Sequence, residues 1–186
     1  MRTWKLVVYP AVIAIAVLFS AACGGSGEKA KPTEGPNPPR GVVETAKPND
    51  SQQTEIRQYA SALLRIKADG DDKLNEVMAS IPDMQTLSAE QWWSEAERVY
   101  GEGSILMAEY AGELRALDPP EELRTWHERF IAWAENYHEV FQRGVLAAQA
   151  RDSAEVQRVL ADGLDLSSEL DELSTEFAEM LNQALE

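Results

Sequence analysis

The sequence predicts an all-α protein: an up-down-up-down antiparallel four-helix bundle over residues 51–186, set behind a signal peptide and a disordered linker. Three observations carry this. From residue 51 onward, apolar residues recur at three- and four-residue steps, and no alternating run of the kind a half-buried strand needs is present. Four such stretches are each bracketed by helix start and stop signals. Their connections are short, which makes sequence neighbours antiparallel. A three-helix or extended hairpin arrangement that dimerises is the structural alternative.

Residues 1–22 read as an export signal. Arg2 and Lys5 give the start two positive charges and no acid, and an apolar run of 14 residues follows, interrupted by Pro10. That run is shorter than the ~20 residues a spanning helix needs. A charged start, a short apolar run and a small-residue cleavage site are the parts of a secretory signal. Ser20, Ala21 and Ala22, placed before Cys23, resemble a bacterial lipobox, with Ser20 where leucine is commonest. In lipoproteins the cysteine receives a diacylglycerol on its sulfur, and the chain is then cut just before it. The resemblance therefore implies lipidation of Cys23, a cell-membrane anchor and an extracytoplasmic location. An ordinary signal cut after Ala22, or an uncut anchor, is the other reading. Cys23 is the only cysteine, so no internal disulfide can form. Two or three acyl chains on one residue make a stable anchor.

Beyond residue 22 the chain holds 15 basic and 32 acidic residues, a net of −17. So acidic a chain does not suit nucleic acid or anionic lipid, where basic residues must neutralise phosphates. It suits solubility, repulsion from anionic surfaces, or a basic partner. Residues 23–50 form the lipidated cysteine and a linker. Residues 24–49 hold five Gly and five Pro, with no apolar periodicity and a net charge of +1. Such a tether has an r.m.s. reach of ~30 Å. The acid is therefore concentrated in residues 50–186, net −18.

The first helix is expected over 51–81, with Asp50 and Gln53 as a capping box, and Ile56, Tyr59, Ala60, Leu63, Gly70, Leu74, Val77 and Ile81 as its buried stripe. Pro82 stops it, and the run Asp69, Gly70, Asp71, Asp72 is its weak point. The second opens on a Ser88–Gln91 capping box, with Trp92, Ala96, Val99, Gly103, Leu106, Tyr110, Leu114 and Leu117 buried. The third is expected to start at once from Asp118 and Pro119, with Glu121 as the reciprocal acid. Its stripe is Leu123, His127, Phe130, Ala134, Tyr137, Phe141, Gly144 and Ala148. The fourth is capped by Asp152 and buries Val156, Leu160, Gly163, Leu166, Leu170, Leu173, Phe177, Met180 and Leu181. About 136 residues can bury an adequate core without disulfides.

Candidate chemistry is sparse. Glu135 and His138 have the Glu-x-x-His spacing of ferritin-like di-iron bundles, but that site needs a second such pair and the only other histidine, His127, has Arg124 three residues before it. No Cys-x-x-Cys-His, nucleophile elbow, phosphate-binding glycine loop or zinc helix motif is present. No cofactor, metal or catalytic residue is therefore expected. His127 is read as a core or boundary residue and His138 as exposed. Trp93, Trp126 and Trp133 either pack at the bundle boundary or form a partner-binding face, where tryptophan is enriched.

Glycines are the unexpected feature. Gly costs about 1 kcal/mol relative to Ala inside a helix, yet Gly70, Gly103, Gly144 and Gly163 all fall on apolar stripes. At the level of Gly70, Gly103 and Gly163 they either let helices approach closely or, ringed by Tyr100, Tyr137 and His138, leave a pocket for a small apolar ligand. The sequence thus supports two functional expectations. One is a membrane-anchored, non-enzymatic protein-interaction or structural module of the cell envelope, with a basic protein as partner. The other is a small-ligand carrier or sensor.

Overall fold

The structure is a computed structural model and describes residues 50–185. The signal, Cys23 and all of the linker but Asp50 lie outside these residues. Within them the chain forms α1 (Asp50–Ala79), α2 (Ala89–Arg115), a 3-10 turn (Glu121–Leu123), α3 (Arg124–Ala150) and α4 (Ser153–Leu185), with no strand among the described residues. The helices have 30, 27, 27 and 33 residues, or ~40–50 Å each at the helical rise. The expected all-α four-helix arrangement is what the chain forms.

Local chemistry explains most of the boundaries. Ser88 Oγ accepts from the Gln91 backbone N–H at 3.3 Å, and Gln91 Oε1 takes the Ser88 N–H at 2.9 Å, so this capping box closes as expected. Asp152 Oδ1 caps α4, accepting from the N–H groups of Ala154 and Glu155 at 3.0 Å each. The expected Asp50–Gln53 box does not form: Asp50 is already helical, and Gln53 Oε1 accepts from Arg57 instead. α3 starts later than expected, at Arg124 rather than at Pro119, behind the 3-10 turn. The reason is Pro120, which pushes the residue before it out of the helical region. α3 ends on Arg151, whose φ of 55° and ψ of 34° are left-handed. The N–H of Asp152 reaches back to Ala147 O at 2.9 Å, closing a Schellman-type end. α1 runs unbroken through Gly70, stapled on the outside by the i,i+4 ion pairs Lys67–Asp71 and Asp69–Lys73.

Two buried faces differ from the expected stripes. In α2 the face is turned by one residue: Trp93, Tyr100, Met107 and Ala111 are buried, while Trp92, Leu106 and Tyr110 are half-buried. In α3 it is much wider, taking in Trp126, Trp133, Val140 and Ala147. α3 packs extensively on both α2 and α4, so a single stripe does not serve it. α1 is the most sparsely held helix. Its first turns meet the 3-10 turn ahead of α3, where Gln52 bonds Glu122, and the end of α4, where Tyr59 packs edge-on to Phe177.

The buried glycines are seats for aromatic rings. A methyl group added at Gly144 would lie 2.5 Å from Tyr100 Cδ1, and one at Gly103 would lie 2.8 Å from Phe141 Cε1. Tyr100 and Phe141 thus cross between α2 and α3, each resting on the glycine of the opposite helix. At Gly101 and Gly112 an added methyl meets nothing within 4 Å. Gly144→Ala is therefore expected to destabilise the protein by about 1–3 kcal/mol through overpacking. Gly101→Ala and Gly112→Ala should each stabilise it by up to about 1 kcal/mol. Urea-unfolding midpoints measure all three, and shifts of one sign throughout would rule out the seat at Gly144.

Candidate functional site

The expected partner face is corrected first. Trp93, Trp126 and Trp133 are 6%, 3% and 2% exposed, so they cannot anchor a partner on the folded surface. Trp126 donates its indole N–H to Leu173 O at 2.9 Å, and Trp133 donates to Leu166 O at 2.7 Å. Both acceptors are backbone carbonyls of α4. The rings therefore point across the α3–α4 interface, with their faces turned to the bundle interior. Trp126 stacks on Phe130 at 5.0 Å and on Phe177 at 4.4 Å, and Phe130 stacks on Trp133 at 5.4 Å.

The expected pocket is corrected in position. Gly103 is covered by the Phe141 ring, and Tyr100 lies on Gly144. Gly163 O accepts the Tyr137 hydroxyl at 3.2 Å, which brings α3 and α4 together there. His138 is half-buried rather than exposed, because its Nδ1 donates to Ser104 O at 2.8 Å while Nε2 takes a hydrogen bond from Gln142. Gly103, Gly163, Tyr100, Tyr137 and His138 thus form a packed level with no room for a ligand between them. Of the expected pocket residues only Gly70 borders open space.

That space is an apolar cleft of about 230 Å³ lower in the bundle. α1 contributes Leu63, Leu64, Lys67, Gly70, Asp71 and Leu74 to it, and α2 contributes Leu106, Met107 and Tyr110. The far wall is the aromatic stack, Trp126, Phe130 and Trp133 of α3 with Phe177 of α4, joined by Leu170 and Ser174. The cleft reaches the surface between α1 and α4, where Leu64 is 59% exposed and Ser174 is exposed. The Lys67–Asp71 ion pair, 2.5 Å long, sits on its rim. On α1 the cleft is bordered by Gly70 of the expected stripe and by Lys67 and Asp71 beside it, while Ile66 is buried in the core.

At the end of the stack lies a buried polar pair. Tyr59 OH and His127 Nδ1 are hydrogen-bonded to each other at 2.7 Å. His127 is buried, as the sequence implied. Burial holds its pKa below the ordinary value, against a smaller opposing pull from Glu128. The Tyr59 hydroxyl is pushed well above the ordinary phenol value by burial. Neither histidine stands among groups that form a metal cluster, and none is found among the described residues. Among the described residues no helix is long and apolar enough to cross a membrane.

Compared with protein-family models, curated proteins and solved structures, the chain matches none.

His127 makes stability fall on the acid side. The unfolded histidine takes a proton near its ordinary value of about 6.5, and the folded one only at lower pH. The neutral pair's contribution is whole above about pH 6.5 and is lost as pH falls from there through the folded value. Each unit of depression corresponds to about 1.4 kcal/mol. Between pH 7 and 5 the native chain should lose more stability than His127→Gln, as measured by urea unfolding. Parallel losses in the two proteins would remove His127 from the account.

Proposed function

We propose that the chain is a non-enzymatic extracytoplasmic lipoprotein, held on the cell membrane through lipidated Cys23, whose helical domain binds a small apolar ligand. The observation that carries this reading is the aromatic-walled cleft between α1 and α4. Binding sites for small molecules are concave and mostly apolar, with a few polar groups at defined places, and this cleft has that composition. The lipobox-like Ser20, Ala21, Ala22 and Cys23 support the anchor. A binding rather than catalytic role is supported by the two histidines. His127 is committed to Tyr59, and His138 to Ser104 and Gln142.

A second reading, a basic protein partner, is favoured by the outer face of α4. Asp165, Asp171, Glu172 and Glu179 are exposed there and form no ion pair among the described residues, whereas Asp162 and Glu176 are held by Arg143 and Arg129.

Two measurements test the reading. Cys23→Ser should move the protein from the membrane fraction to the soluble or uncut fraction with its helical circular dichroism unchanged. Benzene, which fits such a cleft, should raise the thermal midpoint of that variant, because a ligand bound only to the folded state stabilises it by about 2.7 kcal/mol at a hundred times its Kd. A midpoint insensitive to benzene would eliminate the cleft as a ligand site.

A further inference from the structure

We infer that the cleft is built for the single alkyl chain of a non-anionic amphiphile, with about nine carbons inside and the polar head at the Lys67–Asp71 rim. This rests on the ligand-binding reading above and names the class of ligand.

Four features of the site lead to it. The first is the chemistry of its walls. The indole N–H groups of Trp126 and Trp133, the polar atoms of its aromatic wall, are already given to α4 carbonyls. The far wall therefore offers ring faces and aliphatic surface, and the polar side chains of the lining are Lys67, Asp71, Tyr110 and Ser174. A polar centre buried there would lose its water and gain nothing. Hydrocarbon is what the interior accepts.

Size is the second feature. A cavity of about 150 Å³ holds one benzene ring. In proportion, 230 Å³ takes about nine carbons. That is one medium-length chain, and the two tails of a membrane lipid do not fit.

The third is the distribution of polar atoms. Lys67 and Asp71 pair at the mouth, and Ser174 of the lining is exposed. An apolar depth with a polar mouth matches a molecule with one apolar and one polar end. Lys67 and Asp71 stand beside the buried stripe of α1, Leu63, Ile66 and Leu74, where the cleft opens to solvent.

The fourth is charge. Asp71 compensates Lys67 at 2.5 Å, so the rim offers no unpaired cation to a carboxylate or phosphate head. The domain around it carries a net charge of −18. An anionic head is thus repelled without local compensation, while an uncharged one is accommodated by the ion pair and the Ser174 hydroxyl.

Titration of the detergent-free Cys23→Ser chain with 1-alkanols from hexanol to dodecanol tests this, read by calorimetry or tryptophan fluorescence. The Kd should tighten about fourfold per added methylene and then level off near nine carbons. At low salt nonanoate should bind at least tenfold more weakly than 1-nonanol. Leu170→Phe, which fills part of the cleft, should shorten the plateau by one or two carbons. Leu64→Glu, at an exposed position on the rim, should weaken 1-nonanol severalfold and serves if the filled variant does not fold. Affinity that climbs through dodecanol without a plateau, indifference to both substitutions, or a preference for nonanoate would each overturn the inference. The two readings separate cleanly. If benzene binds and no alkanol does, ligand binding stands and the alkyl-chain class falls. If neither binds, both fall.

Discussion

Three hydrogen bonds from α3 to the backbone of α4 set the register of the domain. Trp126, Trp133 and Tyr137 donate to the carbonyls of Leu173, Leu166 and Gly163. Seven residues up α3 correspond to seven down α4, so the helices are antiparallel and in step. Each bond contributes only about 1 kcal/mol net. Their larger effect is geometric. A slide of less than one turn, three to four residues, would carry both acceptors away from the indoles, and an indole N–H left without a partner costs about 1–3 kcal/mol. Arg129–Glu176 and Arg143–Asp162 follow the same register on the outside, at 2.7 and 2.6 Å. These ion pairs are substantially exposed and add little by themselves.

Fixing the indoles toward α4 also decides what lies in the middle of the bundle. Their ring faces, with Phe130 between them, form a flat stacked wall. Opposite it, α1 would have to present bulky apolar residues to close the core. Along the cleft it presents Leu63 and Leu74, with Lys67, Gly70 and Asp71 between, while Ile66 packs into the core. Gly70 is already covered by the Tyr110 ring, whose carbon lies 3.1 Å from where a methyl would stand. The wall and α1 meet at the end of the stack, where Tyr59 packs edge-on to Phe177, and the cleft is the space left beside that contact.

The helices themselves were legible from period and punctuation, because caps such as Ser88–Gln91 and Asp152 act within a few residues. The start of α3 was misplaced because a favourable Pro119 hid the restriction that Pro120 puts on it. The tryptophans were misread for a different reason. A single stripe was assumed for α3, while its packing on both α2 and α4 gives it two adjoining faces, and Trp126 and Trp133 belong to the second. That is a tertiary fact, and the helical period does not contain it. The site was only partly legible. Gly70 lines the cleft, whereas helical rise alone sets it level with Gly103 and Gly163, where the structure packs Phe141 and Tyr137.

The glycine level and the cleft are two outcomes of one constraint. Aromatic side chains are too large for closely spaced helices unless the facing helix gives way. At the level of Gly103 and Gly144 it does: Tyr100 and Phe141 each sit on a glycine, and α2 and α3 close on each other. One level lower, Trp126, Phe130 and Trp133 face α1, which has Gly70 alone, and that glycine is taken by Tyr110. The rings stack on one another, on Phe177 of α4 and against Tyr110 of α2, and the space toward α1 stays open. Close packing at one level and open space at the other follow from whether a glycine stands opposite the ring. The open space of this domain thus lies at a place where the fold's own packing rule is left incomplete, with the polar pair Lys67–Asp71 at its rim.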